Sequence, residues 1–143
     1  MLKLISEIMM KEHRKIDSML EDFEKLENTN YKESKIAFSI FKWNLDKHFF
    51  IEEKVIFHIY NSSTEENFDV INLLKDHKDI QWLVSKIEES LKTNLKPSIL
   101  ELKKSLKAHA GLEDQIFYPK LDKELNVEEK SMILERVEEI FNE

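Results

Sequence analysis

The chain predicts an all-α fold: an up-down-up-down four-helix bundle with a short fifth helix at the C-terminus. Two observations carry that prediction. Apolar residues recur at helical spacing almost from end to end. There are also only one glycine and two prolines in 143 residues, which favours long helices with short joints over a turn-rich β fold. This length suits one domain with one core. A single domain over 1–143 is therefore expected, with the bundle over about 1–121 and the last helix over about 126–142.

The first helix is predicted from about Leu4 to Glu27, with Ile5, Met9, Ile16, Met19, Leu20, Phe23 and Leu26 on its stripe. The polar run NTN at 28–30 breaks it. A second helix should cover about Tyr31 to Tyr60, burying Ala37, Phe38, Phe41, Leu45, Phe49, Val55, Ile56 and Ile59. NSSTEE at 61–66 reads as a polar joint, with N-cap candidates in Ser62, Ser63 and Thr64. The third helix runs from about Asn67 to Thr93, with Val70, Leu73, Leu74, Ile80, Val84, Ile87 and Leu91 inward, and the chain turns near Asn94. Pro97 suits the first position of a fourth helix, and Pro119 should stop it. Its stripe is Ile99, Leu102, Leu106, Leu112, Ile116 and Phe117. NVEE at 126–129 reads as an N-cap with a capping-box Glu129. It opens a fifth helix carrying Met132, Ile133, Val137, Ile140 and Phe141, expected to pack across one end of the bundle.

Composition narrows the partners. Hydrophobic residues make up 41% and charged residues 36%, a soluble balance. With 22 basic and 29 acidic residues the net charge is −7 and no basic stripe stands out, so nucleic acid is not an expected partner. The absence of cysteine excludes disulfides, thiolate nucleophiles and iron–sulfur clusters. No apolar run approaches the roughly 18 residues of a membrane span, and the N-terminus is too short and charged for a signal peptide. A cytoplasmic, soluble protein is the expectation.

Four of the five histidines fall on apolar stripes, one in each bundle helix: His13, His48, His77 and His109. Residues four apart share a helix face, so Glu52 sits beside His48 and Glu113 beside His109. H-x-x-x-E alone is weak, because with 29 acids in 143 residues five histidines give about one such pair by chance. The repeat is stronger. HFFIEEKV and HAGLEDQI share one pattern, and EHRKI and DHKDI share another. The copies are offset by 64 residues (His13 to His77) and 61 (His48 to His109), as a duplicated hairpin would be. Burying these six groups bare would be costly, and a pair of metal ions removes that difficulty. Four nitrogen donors and two carboxylates suit iron, with manganese, cobalt or zinc possible. The Glu-x-x-His of ferritin-like centres is absent, since no Glu lies three residues before any His.

In order, spacing and repeat, residues 1–121 resemble the hemerythrin-like (HHE cation-binding) family. The resemblance implies a non-haem di-iron centre inside the bundle. His13, His48, His77 and His109 would be terminal ligands, Glu52 and Glu113 would bridge two iron ions (Fe2+/Fe3+), and an oxo or hydroxo group would complete the bridge. Manganese or zinc is less favoured. Two positions depart from the oxygen carriers. Leu73 stands where carriers place a fifth histidine, which weakens the case for reversible O2 carriage. The carriers' last acid lies five residues after its histidine, where this chain has Asp114. Glu113 is preferred because it matches Glu52 and faces the same way as His109.

Other residues are read more plainly. Glu53 and Asp114 are expected as outer-shell or solvated acids, and His58 as a surface residue at a helix end. Trp43, Trp82, Phe49 and Phe117 are expected in core or bundle-end packing. Gly111, mid-helix at a cost of ~1 kcal/mol against Ala, points to close helix approach or room beside the metals, with drift as the alternative. The expected role is binding of O2 or another diatomic, in sensing, storage or transport. An enzyme (peroxidase, nitric oxide reductase or cluster repair) and a cation store or metal-stabilised structural module are the alternatives.

Overall fold

The computed structural model describes residues 4–61 and 68–141. Among them there is no strand. α1 spans Ile5–Thr29. α2 (Tyr31–Ile51), a five-residue π-helical turn π1 (Glu52–Ile56) and α3 (Phe57–Asn61) form one continuous rod. α4 spans Phe68–Lys92. A second interrupted rod follows: α5 (Leu100–Leu112), π2 (Glu113–Phe117) and α6 (Tyr118–Glu124). α7 covers Val127–Phe141. The cap candidates Ser62, Ser63 and Thr64 lie outside the described residues.

The joints follow from local chemistry. Asn30 alone separates α1 from α2: its N–H bonds the Leu26 carbonyl at 2.7 Å, and its side chain accepts from the Glu33 N–H. Asn94 adopts φ 60°, and Asn94 and Leu95 donate to the carbonyls of Leu91 and Ser90, a Schellman ending for α4. Asn126 and Glu129 exchange backbone-to-side-chain bonds at 3.1 and 2.8 Å, the reciprocal capping box read from NVEE. The start of α1 has no local cap. Asp122, from α6, accepts from the Ile5 and Ser6 N–H groups and the Ser6 hydroxyl instead.

Both proline expectations are corrected. Pro97 does not open a helix; α5 begins at Leu100, whose N–H meets the Ser98 hydroxyl at 3.4 Å. Pro119 does not stop one; it lies in the first turn of α6. Proline breaks α-helices by lacking an N–H and clashing with the carbonyl four residues back. Two residues beyond the π turn, both faults fall where the hydrogen-bond ladder is already changing register.

α1 lies along α2 and α6, α4 along α5 and α2, and α7 closes against π1 and α3. The apolar core forms two clusters. One gathers Ile5, Met9, Ile51, Ile56, Leu73, Tyr118 and Leu121 with Ile133 and Val137 of α7. The other gathers Ile16, Phe23, Phe38, Phe41, Leu45, Ile80, Val84 and Leu106. Some residues expected inward are exposed: Trp43, Trp82, Leu112, Ile116 and Met132. Trp43 and Trp82 lie two residues from Phe41 and Ile80, hence on the far side of their helices at about 100° per residue. Leu112 is about a quarter turn off the line through Leu106, His109 and Glu113. π2 adds a residue to its turn and brings Phe117 and Tyr118 inward in place of Ile116. Met132 directly precedes buried Ile133 and falls on the flank of α7. Phe49 and Phe117 are buried as expected.

A Cβ built on Gly111 meets nothing within 4 Å, which removes close helix approach as its reason. Gly111→Ala should therefore stabilise the protein by about 0.4–1 kcal/mol, through reduced freedom of the unfolded chain and better helix propensity. A higher denaturant midpoint at unchanged m-value would show it; a lower one would mean that hidden crowding opposes the methyl group.

Candidate metal centre

The boundary between the two apolar clusters is polar. α1 contributes His13 between Met9 and Ile16, and α4 contributes His77 between Leu73 and Ile80. The two interrupted rods each contribute a histidine at the end of an α segment and a glutamate opening the π turn: His48 and Glu52, His109 and Glu113. In each π turn the glutamate's own carbonyl accepts the N–H five residues on, from Phe57 or Tyr118. All six side chains singled out in the sequence are buried here, with Glu52 and Glu113 fully so.

Their inner atoms converge. His13 and His48 approach Nε2 to Nε2 at 3.1 Å, and so do His77 and His109. Glu52 Oε1 lies 3.3 Å from His48 Nε2 and 3.0 Å from His77 Nε2. Glu113 Oε1 lies 3.0 Å from His13 Nε2 and 3.3 Å from His109 Nε2. Two four-atom groups result, His13–His48–Glu52–Glu113 and Glu52–His77–His109–Glu113, each with ligand atoms within 4.8 Å of one another.

Carboxylates back three of the rings. Asp114 meets His13 Nδ1 at 2.8 Å, Glu53 meets His77 Nδ1 at 2.8 Å, and Asp76 meets His109 Nδ1 at 3.1 Å. A carboxylate can only accept, so each Nδ1 donates, and in the neutral ring Nε2 then turns a lone pair inward. That is the tautomer a metal needs. Glu53 and Asp114 are thus outer acids, as expected, and Asp76 joins them unforeseen. The second unforeseen member is Tyr118. Fully buried, its hydroxyl donates to Glu52 Oε2 and lies 3.4 Å from Glu113 Oε2. The available signal was the second H-x-x-x-E copy itself: Tyr118 falls where the first copy has Phe57. His58 is exposed, as predicted.

Two further observations test whether cations fit this donor set. Glu52 Oε1 and Glu113 Oε1 are buried with no hydrogen-bond partner, despite imidazole nitrogens 3.0–3.3 Å away. Their approach is that of lone pairs facing a common space rather than of donor and acceptor. Without metal, protons must hold the charges. Burial pulls His13 down, but the hydrogen bond to Asp114 and the nearby carboxylate of Glu113 outweigh it and raise its pKa to about 10. Burial likewise opposes His109, which Glu113 raises to about 9. Burial pushes Glu52 up, but the charge of His48 and the close His77 ring pull its pKa well below the usual carboxylate range. Burial, with the charge of Glu52, raises Glu113. The residues fit divalent cations, which would replace those protons.

Beside His13, His48 and His109 lies a cavity of about 20 Å3, walled by Ile16, Leu45, Phe49, Leu106 and Ala110, with Asp17 at its edge. It has room for about one water-sized molecule. A groove of about 380 Å3, sharing Asp17 and Leu106 with it, opens on the surface beside Lys103 and Lys107. No described helix is long and apolar enough to cross a membrane.

Residues 4–121 match the family described as the hemerythrin HHE cation binding domain. No curated protein and no solved structure matches the chain.

Two outcomes are expected of the metal-free protein. Folded His13 and His109 bind protons more tightly than unfolded histidine, of pKa about 6.5. Their stabilising contribution is complete below about pH 6.5 and is lost as pH rises through 9 to 10. Urea melts of metal-free protein should show stability falling across that window, and a flat profile would contradict it. Tyr118→Phe should cost about 1–3 kcal/mol in the same assay, because it strips a buried carboxylate of its donor; an unchanged midpoint would mean that the hydroxyl is energetically idle.

Proposed function

The chain belongs to the hemerythrin HHE cation-binding family, and from that premise we propose a non-haem di-iron protein that binds O2 or another diatomic such as nitric oxide. The reading is one of sensing, storage or transport rather than turnover. His13 and His48 would hold one iron and His77 and His109 the other, with Glu52 and Glu113 within reach of both. An up-down-up-down packing of α1, the α2–π1–α3 rod, α4 and the α5–π2–α6 rod is part of the same reading, as is a cytoplasmic location. The observation that carries it is the pairing of two orphaned, fully buried carboxylate oxygens with four imidazole nitrogens, next to a cavity of one-molecule size.

Bound iron would supply reducing equivalents and an open coordination position. The chain's own groups do the rest. Asp114, Glu53 and Asp76 keep the Nδ1 protons outward, so that Nε2 lone pairs face in. Tyr118 holds the outer oxygens of the carboxylates, leaving Oε1 of each turned to the imidazoles. Ile16, Leu45, Phe49, Leu106 and Ala110 give the cavity apolar walls, which suit an uncharged diatomic better than water. Phe49 stacks on His77 at 3.9 Å and fixes that ring from the cavity side. Leu73, buried one turn before His77 where the oxygen carriers bear a fifth ligand, offers no donor, so the described residues supply four nitrogens and not five.

Anaerobic loading with two equivalents of Fe(II), followed by visible absorption on O2 addition, tests the proposal. A charge-transfer band that grows with O2 and fades on degassing is the expected result for a reversible binder. Irreversible oxidation with turnover of peroxide or nitric oxide would replace it with the enzyme reading. His109→Ala should lower bound iron below two per chain; full stoichiometry in that variant would overturn the ligand assignment.

A further inference from the structure

The four imidazoles are not supported alike. In the repeat, His13 corresponds to His77 and His48 to His109. The acid after each central glutamate reaches the lone histidine of the other half: Glu53 bonds His77 and Asp114 bonds His13, both at 2.8 Å. The acid before the third-helix histidine, Asp76, bonds His109 at 3.1 Å. Its counterpart Glu12 does not complete the set, because His48 Nδ1 is buried with no hydrogen-bond partner. Both rings of the His77–His109 group are therefore oriented and made more basic by carboxylates, and only one ring of the His13–His48 group is. Both imidazoles of that less supported group also border the one-molecule cavity, against one from the other group.

Resting on the di-metal reading above, we propose that the two metal positions are unequal and fill in order: His77–His109 first and tightly, His13–His48 second and weakly. Outer carboxylates contribute about 10–100-fold each to metal affinity at comparable sites, so one missing carboxylate separates the positions by about tenfold or more. The chain then has a one-metal form at limiting cation supply, and only the two-metal form places a cation on the less supported side of the cavity.

The test is a titration of the metal-free, full chain with Co(II), followed by calorimetry and by the d–d bands of the bound ion. The expected result is two equivalents, the first bound about tenfold or more tightly than the second. At one equivalent, paramagnetic shifts should appear on the ring protons of His77 and His109 before those of His13 and His48. Asp76→Asn and Glu53→Gln should weaken the first equivalent, while Asp114→Asn should weaken only the second. Two equal affinities, simultaneous uptake of both ions, or loss of the first equivalent in Asp114→Asn would overturn the inference and leave the di-metal reading standing. No bound cobalt would overturn both.

Discussion

Everything in this molecule is arranged around one electrostatic constraint. Six ionisable side chains occupy the middle of a helical core, and two of them are fully buried carboxylates. A single uncompensated charge in such a place costs several kcal/mol even after relaxation. Protons on the histidines meet that cost when no cation is present, and cations between the donors would meet it for all six groups at once. The outer carboxylates, the phenol of Tyr118 and the stacked ring of Phe49 then follow as consequences. They hold the donors in place so that charge compensation does not depend on side chains finding each other.

The same constraint explains why the apolar core is in two parts. Residues on either side of each histidine belong to different clusters: Met9 and Ile16 around His13, Leu73 and Ile80 around His77. The polar layer is continuous across all the rods that supply it, so the apolar residues pack above and below rather than through it. α7 adds Ile133, Leu134 and Val137 to the cluster that contains Tyr118.

Much of this was legible in the sequence for a physical reason: apolar periodicity and charged residues on an apolar stripe both report burial. The helices, the Asn126–Glu129 capping box and the convergence of His13, His48, Glu52, His77, His109 and Glu113 follow from that rule. What escaped was whatever departs from 3.6 residues per turn. The π turns shift the inward face by one residue, so Ile116 was expected inside and Tyr118 was given no role. Pro119 was expected to end a helix for the same reason. Trp43 and Trp82 were misplaced because their size suggests a core, whereas position relative to Phe41 and Ile80 decides the side. Asp76 lies within DHKDI, yet its reach to His109 crosses between helices, and no pattern within one helix reveals such a contact.

The π turns also set how the chain can change over time. Each contains one residue more than an α turn would use, and that extra residue aims Phe57 or Tyr118 at the centre. Deleting one residue from either π turn would let the rod close into a regular α-helix with the downstream residues still on the faces they now occupy, because the π turn already absorbs the ~100° that one residue adds. A residue added or removed elsewhere in the same rod has no such slack and would turn the buried aromatics beyond it away from the centre. The π turns are thus the two places where each rod can change length by one residue and keep its inward face.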